Sequence, residues 1–376
     1  MSMDFGVLHN GILVGKFLPL HRGHLTHIFN TYSQCDQLHI IICNNITLDT
    51  KLCEEVKIKY IPADLRSRWL KTELKGFANI KIHIMDEPTD IAEYPYGWPQ
   101  WSKCLEDFIF YNCTPFTIDN KFTIFTGEQQ DIEAYKSYFP EYDVKYFDYS
   151  MTRYPISATQ IRNNPLKYWD YICGCARKHF AKKILITGTE STGKTTLVKM
   201  LAKIFHTSWA EEIGRTYVEQ NVHDERFITD EDYFNIIRLQ IEANDHALKT
   251  CNKICFFDTD IVVTYYYYML YKHENGIYEI SDTEFQLFSS IYDAHYQDLY
   301  NFKFFLSSEG VPWVSDGLRR HEEARDELDV VLLDHYKNFN IRDFYSHPRM
   351  MIVKGDYHNR LTQMYKFCQS LMEESV

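Results

Sequence analysis

Gly15-Lys16-Phe17-Leu18-Pro19-Leu20-His21-Arg22-Gly23-His24 gathers two imidazoles and an ammonium group around a glycine-containing turn. The run follows a strand-like stretch and opens an amphipathic helix. Main-chain N–H groups and the positive helix end therefore face any ligand held there. Gly23 allows a close backbone approach, and Pro19 shapes the loop. His21 and His24 lie three apart, which on a first helical turn puts them on one face. Two imidazoles so placed can donate hydrogen bonds to an α-phosphate and to a departing pyrophosphate. An isolated H-x-x-H is usually a chance pair satisfied by carbonyls; its place between strand and helix reverses that reading. A metal is disfavoured, because no carboxylate or third histidine stands at a natural spacing. The other half of this site is expected in Ile156-Ser157-Ala158-Thr159-Gln160-Ile161-Arg162. Ser157 reads as the N-cap of a short helix, with Thr159 and Arg162 on its first turn. A hydroxyl and a guanidinium there can meet the β- and γ-phosphates of a nucleotide.

A second phosphate site is written as Gly188-Thr189-Glu190-Ser191-Thr192-Gly193-Lys194-Thr195, followed by Thr196. Loop amides of a G-x-x-x-x-G-K-T run wrap a β-phosphate, the lysine reaches the β- and γ-phosphates, and the threonine binds magnesium. Downstream, Phe256-Phe257-Asp258-Thr259-Asp260 ends an apolar run in two carboxylates. Asp258 is placed to hold the magnesium shell. Asp260 is as well suited to capping the next helix.

These motifs need elements to carry them. The N-terminal half reads as strands at residues 11–15, 38–43, 80–85 and 121–125, with helices at 23–33, 66–74 and 101–111 between them. The second half reads as strands at residues 183–187, 208–212, 254–257, 303–306 and 350–353, with helices at 195–205 and 230–249. Strands alternating with helices imply parallel sheets, with ligands at the carboxyl ends of the strands. The expected fold is therefore α/β throughout. The expected division is residues 1–172, then 182–376, with 163–181 as a connecting segment whose aromatic stretch packs as a helix. The tyrosines at 265–268 read as helix core and surface and not as a ligand cage.

A length of 376 residues with 45% hydrophobic content suits two sizeable cores. A formal net charge of -12 argues against a nucleic-acid backbone as the main partner. Residues 1–10 lack a basic flank and an apolar core, and residues 261–271 fall well short of a membrane span, so a cytoplasmic protein is expected. The ten cysteines are scattered. Neither close group, Cys173 with Cys175 or Cys251 with Cys255, has a C-x-x-C partner, so free thiols and no zinc site are expected.

H-x-G-H paired with I-S-x-T-x-I-R resembles the nucleotidylyltransferase superfamily. Within it the chain looks most like the NadR family, on G-K-F-L-P-L-H-R-G-H, on Y-P-Y-G-W-P-Q-W-S at residues 94–102 and on residues 163–181. The likeness continues through G-T-E-S-T-G-K-T-T, the E-x-G-R at residues 212–215, F-F-D-T-D, and W-V-S-D-G-L-R at residues 313–319. The resemblance implies a Rossmann-like nucleotidylyltransferase domain followed by a P-loop kinase domain. The implied enzyme makes nicotinamide mononucleotide from nicotinamide riboside, then NAD and pyrophosphate from the mononucleotide, using ATP and Mg2+.

Carried over by position, Gly15, Lys16, Phe17, His21, His24, Glu128, Ser157, Thr159 and Arg162 would bind ATP in the first half. Asn44, Trp98 and Trp101 would meet the mononucleotide, although two tryptophans beside a Pro-Gly turn serve equally as anchors. In the second half, Gly188, Glu190, Ser191, Thr192, Gly193, Lys194, Thr195, Thr196 and Arg319 would bind ATP. Glu212, Arg215, Asp258, Asp260 and Trp313 would surround the riboside, with Thr195 and Asp258 on the metal. Catalysis would rest on His21, His24 and Arg162 in one half and on Lys194, Glu212, Asp258 and Arg319 in the other. Arg320 and Arg325 would join a lid or simply form a charged helix face. Enteric members of the family carry an N-terminal helix-turn-helix repressor domain, whereas here the catalytic strand begins almost at once, so DNA binding is not expected. A homo-oligomer remains open. Pantetheine phosphate or a flavin as substrate, and a non-catalytic ATP or NAD sensor, are the competing readings.

Overall fold

The computed structural model describes residues 8–92, 94–113, 120–147, 155–222, 228–277, 281–296, 299–314, 325–338 and 349–373. The chain separates into two compact units, Met1–Phe180 and Ala181–Val376.

The first unit is built on five parallel strands: β1 (Leu8–Gly15), β2 (Gln37–Asn44), β3 (Ile80–Asp86), β4 (Asn120–Thr126) and β5 (Asp143–Tyr146). They lie in the order β3-β2-β1-β4-β5. β1 pairs with both β2 and β4, so the order of the strands reverses beside it. That crevice, at the carboxyl end of β1, is where an α/β sheet receives ligands. β2 is buried along Leu38–Cys43 because both its faces are covered, which is why L-H-I-I-I-C does not alternate. Ile12, Ile41, Ile124, Leu105 and Ile109 share one core with helix Trp98–Asn112. β5 is a mostly exposed four-residue edge strand.

Of the stretch expected as a connecting segment, residues 163–180 group with the first unit by their contacts. Trp169, Ile172, Ala176 and Phe180 are buried in it. A bridge between His21 and Ile172 ties this stretch to the histidine turn. Burying the aromatic side chains outweighs the freedom of a linker.

The second unit repeats the plan with β6 (Lys182–Thr187), β7 (Trp209–Ala210), β8 (Ile254–Asp258), β9 (Phe302–Leu306) and β10 (Arg349–Val353), all parallel, in the order β10-β9-β6-β8-β7. β6, β8 and β9 carry nearly continuous buried runs, and helices Lys194–Ile204 and Tyr357–Glu373 cover one face. The expected strand at 208–212 shrinks to two residues. Glu212 has already left the sheet and stands at the N-cap of helix Ile213–Tyr217. Among the described residues no helix is long and apolar enough to cross a membrane.

Candidate active sites

In the first unit the turn after β1 is tightly packed. Phe17 has a positive φ of 50°, and its side chain is buried with Leu18 and Leu20. Its ring lies 5.0 Å from that of His24, so it supports the imidazole from within. His21 is not on the helical face expected from the spacing. It is the N-cap of helix Arg22–Tyr32, with extended backbone, and its Nδ1 accepts from the Gly23 amide at 3.1 Å. A side chain that can satisfy an orphan amide is drawn to the cap. The two imidazoles still meet, with rings stacked 3.7 Å apart. Burial pushes the His21 pKa down to about 3. Burial, with help from His21 and His27, also holds His24 well below its usual value. Both are therefore neutral near pH 7. Because Nδ1 of His21 accepts, its proton sits on Nε2, which is left as a donor. Nδ1 of His24 is enclosed and accepts no hydrogen bond.

Arg162 is buried and reaches this turn, donating to the Leu18 carbonyl at 2.7 Å and to Thr159 Oγ1 at 3.0 Å. Ser157 caps helix Ala158–Asn163 in a reciprocal capping box with Gln160. Arg162 stands in the last turn of that six-residue helix, not the first. Lys16 is engaged by Asp49 at 2.8 Å and by Glu87 at 3.7 Å. Behind it lies a residue that the motifs did not reveal. Arg66 is fully buried, donates to the carbonyls of Lys16 and Cys43, and pairs with Asp49 at 2.7 Å. It also donates to Asn44 Oδ1, while Asn44 itself donates to Asp86. One guanidinium thus fixes the carboxyl ends of β1 and β2. Trp101 donates from Nε1 to Glu87, and Trp98 packs edge-on against Trp101 and Tyr135. Both indoles are half-buried in these contacts. Glu128 is exposed just beyond β4.

In the second unit the phosphate loop joins β6 to helix Lys194–Ile204. Gly188 has φ +141°, and a Cβ there would stand 2.4 Å from the Leu306 carbonyl oxygen. Gly193 has φ +84°, the left-handed conformation that glycine adopts without strain. Lys194 is the first helical residue, and its ammonium donates to the Thr189 carbonyl at 2.9 Å. Thr192 donates to the same carbonyl, and Ser191 accepts from the Val314 amide. The loop borders a cavity of about 410 Å³, into which Glu190, Ser191, Gly193, Lys194, Thr195 and Thr196 project from one side. Glu212 and Arg215 line another part of the wall. Gln240 secures Glu212's segment by donating to the Glu211 carbonyl and accepting from the Ile213 amide.

Four sequence expectations change here. Tyr267 and Tyr271 line the cavity with Tyr233 and Ile236, so the tyrosine-rich helix supplies a ligand wall as well as core. Asp260 is not at the wall. It is buried as the N-cap of helix Ile261–Glu274 and accepts from Tyr336. Trp313 does not line the cavity, although Pro312 and Val314 do; the Arg325 guanidinium lies 5.7 Å from its ring. Arg325 is neither lid nor bare charge, since it donates to the carbonyls of Ser308 and Val311. Arg319 and Arg320 lie outside the described residues.

Comparison with known proteins decides the family. A model of an AAA domain matches residues 183–360. The NadR proteins of Escherichia coli K12 and Salmonella typhimurium LT2, each described as a trifunctional NAD biosynthesis/regulator protein, are 32% identical over 368 residues. Each match takes in 97% of this chain and 83% of the relative. The chain belongs to the NadR family. A crystal structure of a NadR protein in complex with NR superposes with TM-score 0.78 at 26% identity, covering 97% of this chain and 96% of that one. A second, in complex with NAD and AMP-PNP, gives TM-score 0.76 at 26% identity and covers 96% of each chain. This NadR-family chain is an enzyme of NAD biosynthesis with a nucleotidyltransferase unit and a kinase unit.

The NadR-family kinase unit also has donors suited to a hard cation. Asp258 is completely buried, and neither carboxylate oxygen meets a hydrogen-bond partner at normal geometry. Burial and the Glu212 carboxylate push its pKa up to about 7, against the Lys194 ammonium and the Thr195 hydroxyl. A carboxylate left this exposed to its own desolvation cost, beside a threonine hydroxyl, fits Mg2+.

Proposed function

We propose that the second unit transfers the γ-phosphoryl group of ATP to the 5′-hydroxyl of nicotinamide riboside. The first unit then condenses the resulting mononucleotide with ATP to give NAD and pyrophosphate. The observation that carries this reading is the presence of two strand–turn–helix phosphate sites, one in each parallel sheet, on a single chain. Relatives crystallised with NR and with NAD plus AMP-PNP support the same ligands here.

In the kinase reaction Lys194 leaves the Thr189 carbonyl to contact the β- and γ-phosphates, and the loop amides hold the β-phosphate. Thr195 and Asp258 are the residues that would hold magnesium, which when bound neutralises charge on the transferring phosphoryl group. Glu212, at the cavity wall, orients the ribosyl hydroxyl. In the adenylyl reaction the mononucleotide's phosphate oxygen attacks the α-phosphorus as the bond to pyrophosphate breaks. His21 donates from Nε2, and His24 and Arg162 steady the charge that develops.

The test is product analysis by mass spectrometry with the full chain, ATP, Mg2+ and nicotinamide riboside. Mononucleotide and then NAD are expected. K194A should make neither from the riboside yet still make NAD from supplied mononucleotide. Loss of NAD formation from mononucleotide in a folded K194A protein would overturn the assignment of two independent sites.

A further inference from the structure

His39, His83 and Cys113 come from three separate elements of the first unit, namely β2, β3 and the C-cap of helix Trp98–Asn112. Nδ1 of His39 lies 3.1 Å from Nε2 of His83, and one ligand atom from each of the three residues falls within 4.8 Å of the others. We propose that these three side chains form a binding site for a borderline-soft divalent cation of the Zn2+ class. Imidazole nitrogens and a thiolate are its preferred donors. In a tetrahedral zinc site, bonds of about 2.0–2.3 Å set neighbouring donor atoms roughly 3.3–3.7 Å apart. The three atoms therefore need to move by about an ångström at most.

The surroundings suit a cation. His39 is 3% exposed, and its Nδ1, the ligating atom, already faces Nε2 of His83 inside the fold. Burial keeps both histidines below their usual pKa, so both are neutral and ready to ligate. The Cys113 thiol, pushed up to about 12 by burial, stays protonated until a cation replaces its proton. Binding accordingly releases one proton, from sulfur, while the imidazoles only exchange tautomers. The exposed Lys81 ammonium opposes a cation, but water screens it. His83 is half-buried, which leaves a path for entry.

His39 lies five residues before Asn44 on β2, or about 16 Å from the carboxyl end where the histidine turn is held. The site is thus separate from the adenylyl chemistry. An ion there would tie β2 and β3 to the far end of the helix that begins at Trp98.

The experiment uses the full chain, stripped with chelator and titrated with Co2+ in excess Mg2+, which occupies oxygen-rich sites. One Co2+ per chain is expected, with a thiolate-to-cobalt charge-transfer band and a rise in Tm. C113S should abolish the band, and H83Q should weaken binding by about tenfold or more. Cobalt bound without a thiolate band, or variants that bind as the parent does, would overturn the proposal. Should C113S fail to fold, H83Q decides alone. A cooperative metal-free unfolding transition shows that it folds, and unchanged affinity would end the claim.

Discussion

Replacing Asp258 with asparagine should make the ligand-free kinase unit more stable while destroying its activity. In the folded chain burial and Glu212 raise the Asp258 pKa from 3.8 to about 7. A raised carboxyl pKa means that the folded state holds its proton longer than the unfolded state does. The associated stability is complete below pH 4 and is lost as pH rises through 7. At about 1.4 kcal/mol per pH unit, the parent gives up at most ~4 kcal/mol by pH 8. Relaxation and water entry should leave ~2 kcal/mol of that visible. D258N cannot ionise, so it escapes this loss and keeps only the cost of a buried amide. Calorimetric unfolding at pH 5 and pH 8, without nucleotide or Mg2+, measures the difference. The transition that moves in the variant reports the second unit. The variant's advantage should grow with pH, and Mg2+ with ATP should reverse the order by stabilising the parent alone. Identical pH dependence in the two proteins would refute the reading of Asp258 as a desolvated anion waiting for a cation.

Three further outcomes follow from the site geometry. H24A should lower kcat for NAD formation by about 10²-fold or more with little change in nucleotide affinity, as measured by steady-state kinetics and direct binding. Because burial holds His21 at about 3 and His24 well below 6.5, the rate of NAD formation should show no histidine inflection between pH 6 and pH 8. R66A should destabilise the first unit by about 3 kcal/mol in urea unfolding, since it leaves the buried Asp49 to Lys16 alone and strands two carbonyls. Lysine at position 66 should not restore the loss, because one ammonium cannot span these acceptors.

Much of this was legible in the residues themselves. L-H-I-I-I-C and I-C-F-F-D could only be buried parallel strands, and G-x-x-x-x-G-K-T could only close on a phosphate if strand and helix flanked it. What stayed hidden depended on partners far apart in the chain. The helix surfaces bearing Asp49 and Arg66 look like ordinary charged faces until folding buries both. Spacing suggests a shared helical face for His21 and His24, but the Gly23 amide holds His21 at the cap instead. Tyr267 could be assigned to the cavity only once the direction of its helix was known. His39 and Cys113 of the trio with His83 stand 74 positions apart, so no local pattern announces it.

Asp329 does not line the cavity, yet it accepts from the Thr189 hydroxyl on one oxygen and from the Ser308 amide on the other. The glycine-rich turn and the chain leaving β9 therefore share a fastener on helix Arg325–Asn338. A mutational survey scored by phosphorylation alone would rank Asp329 beside Lys194, although it acts at one remove from any nucleotide. Scoring folding in the same survey would tell the two apart.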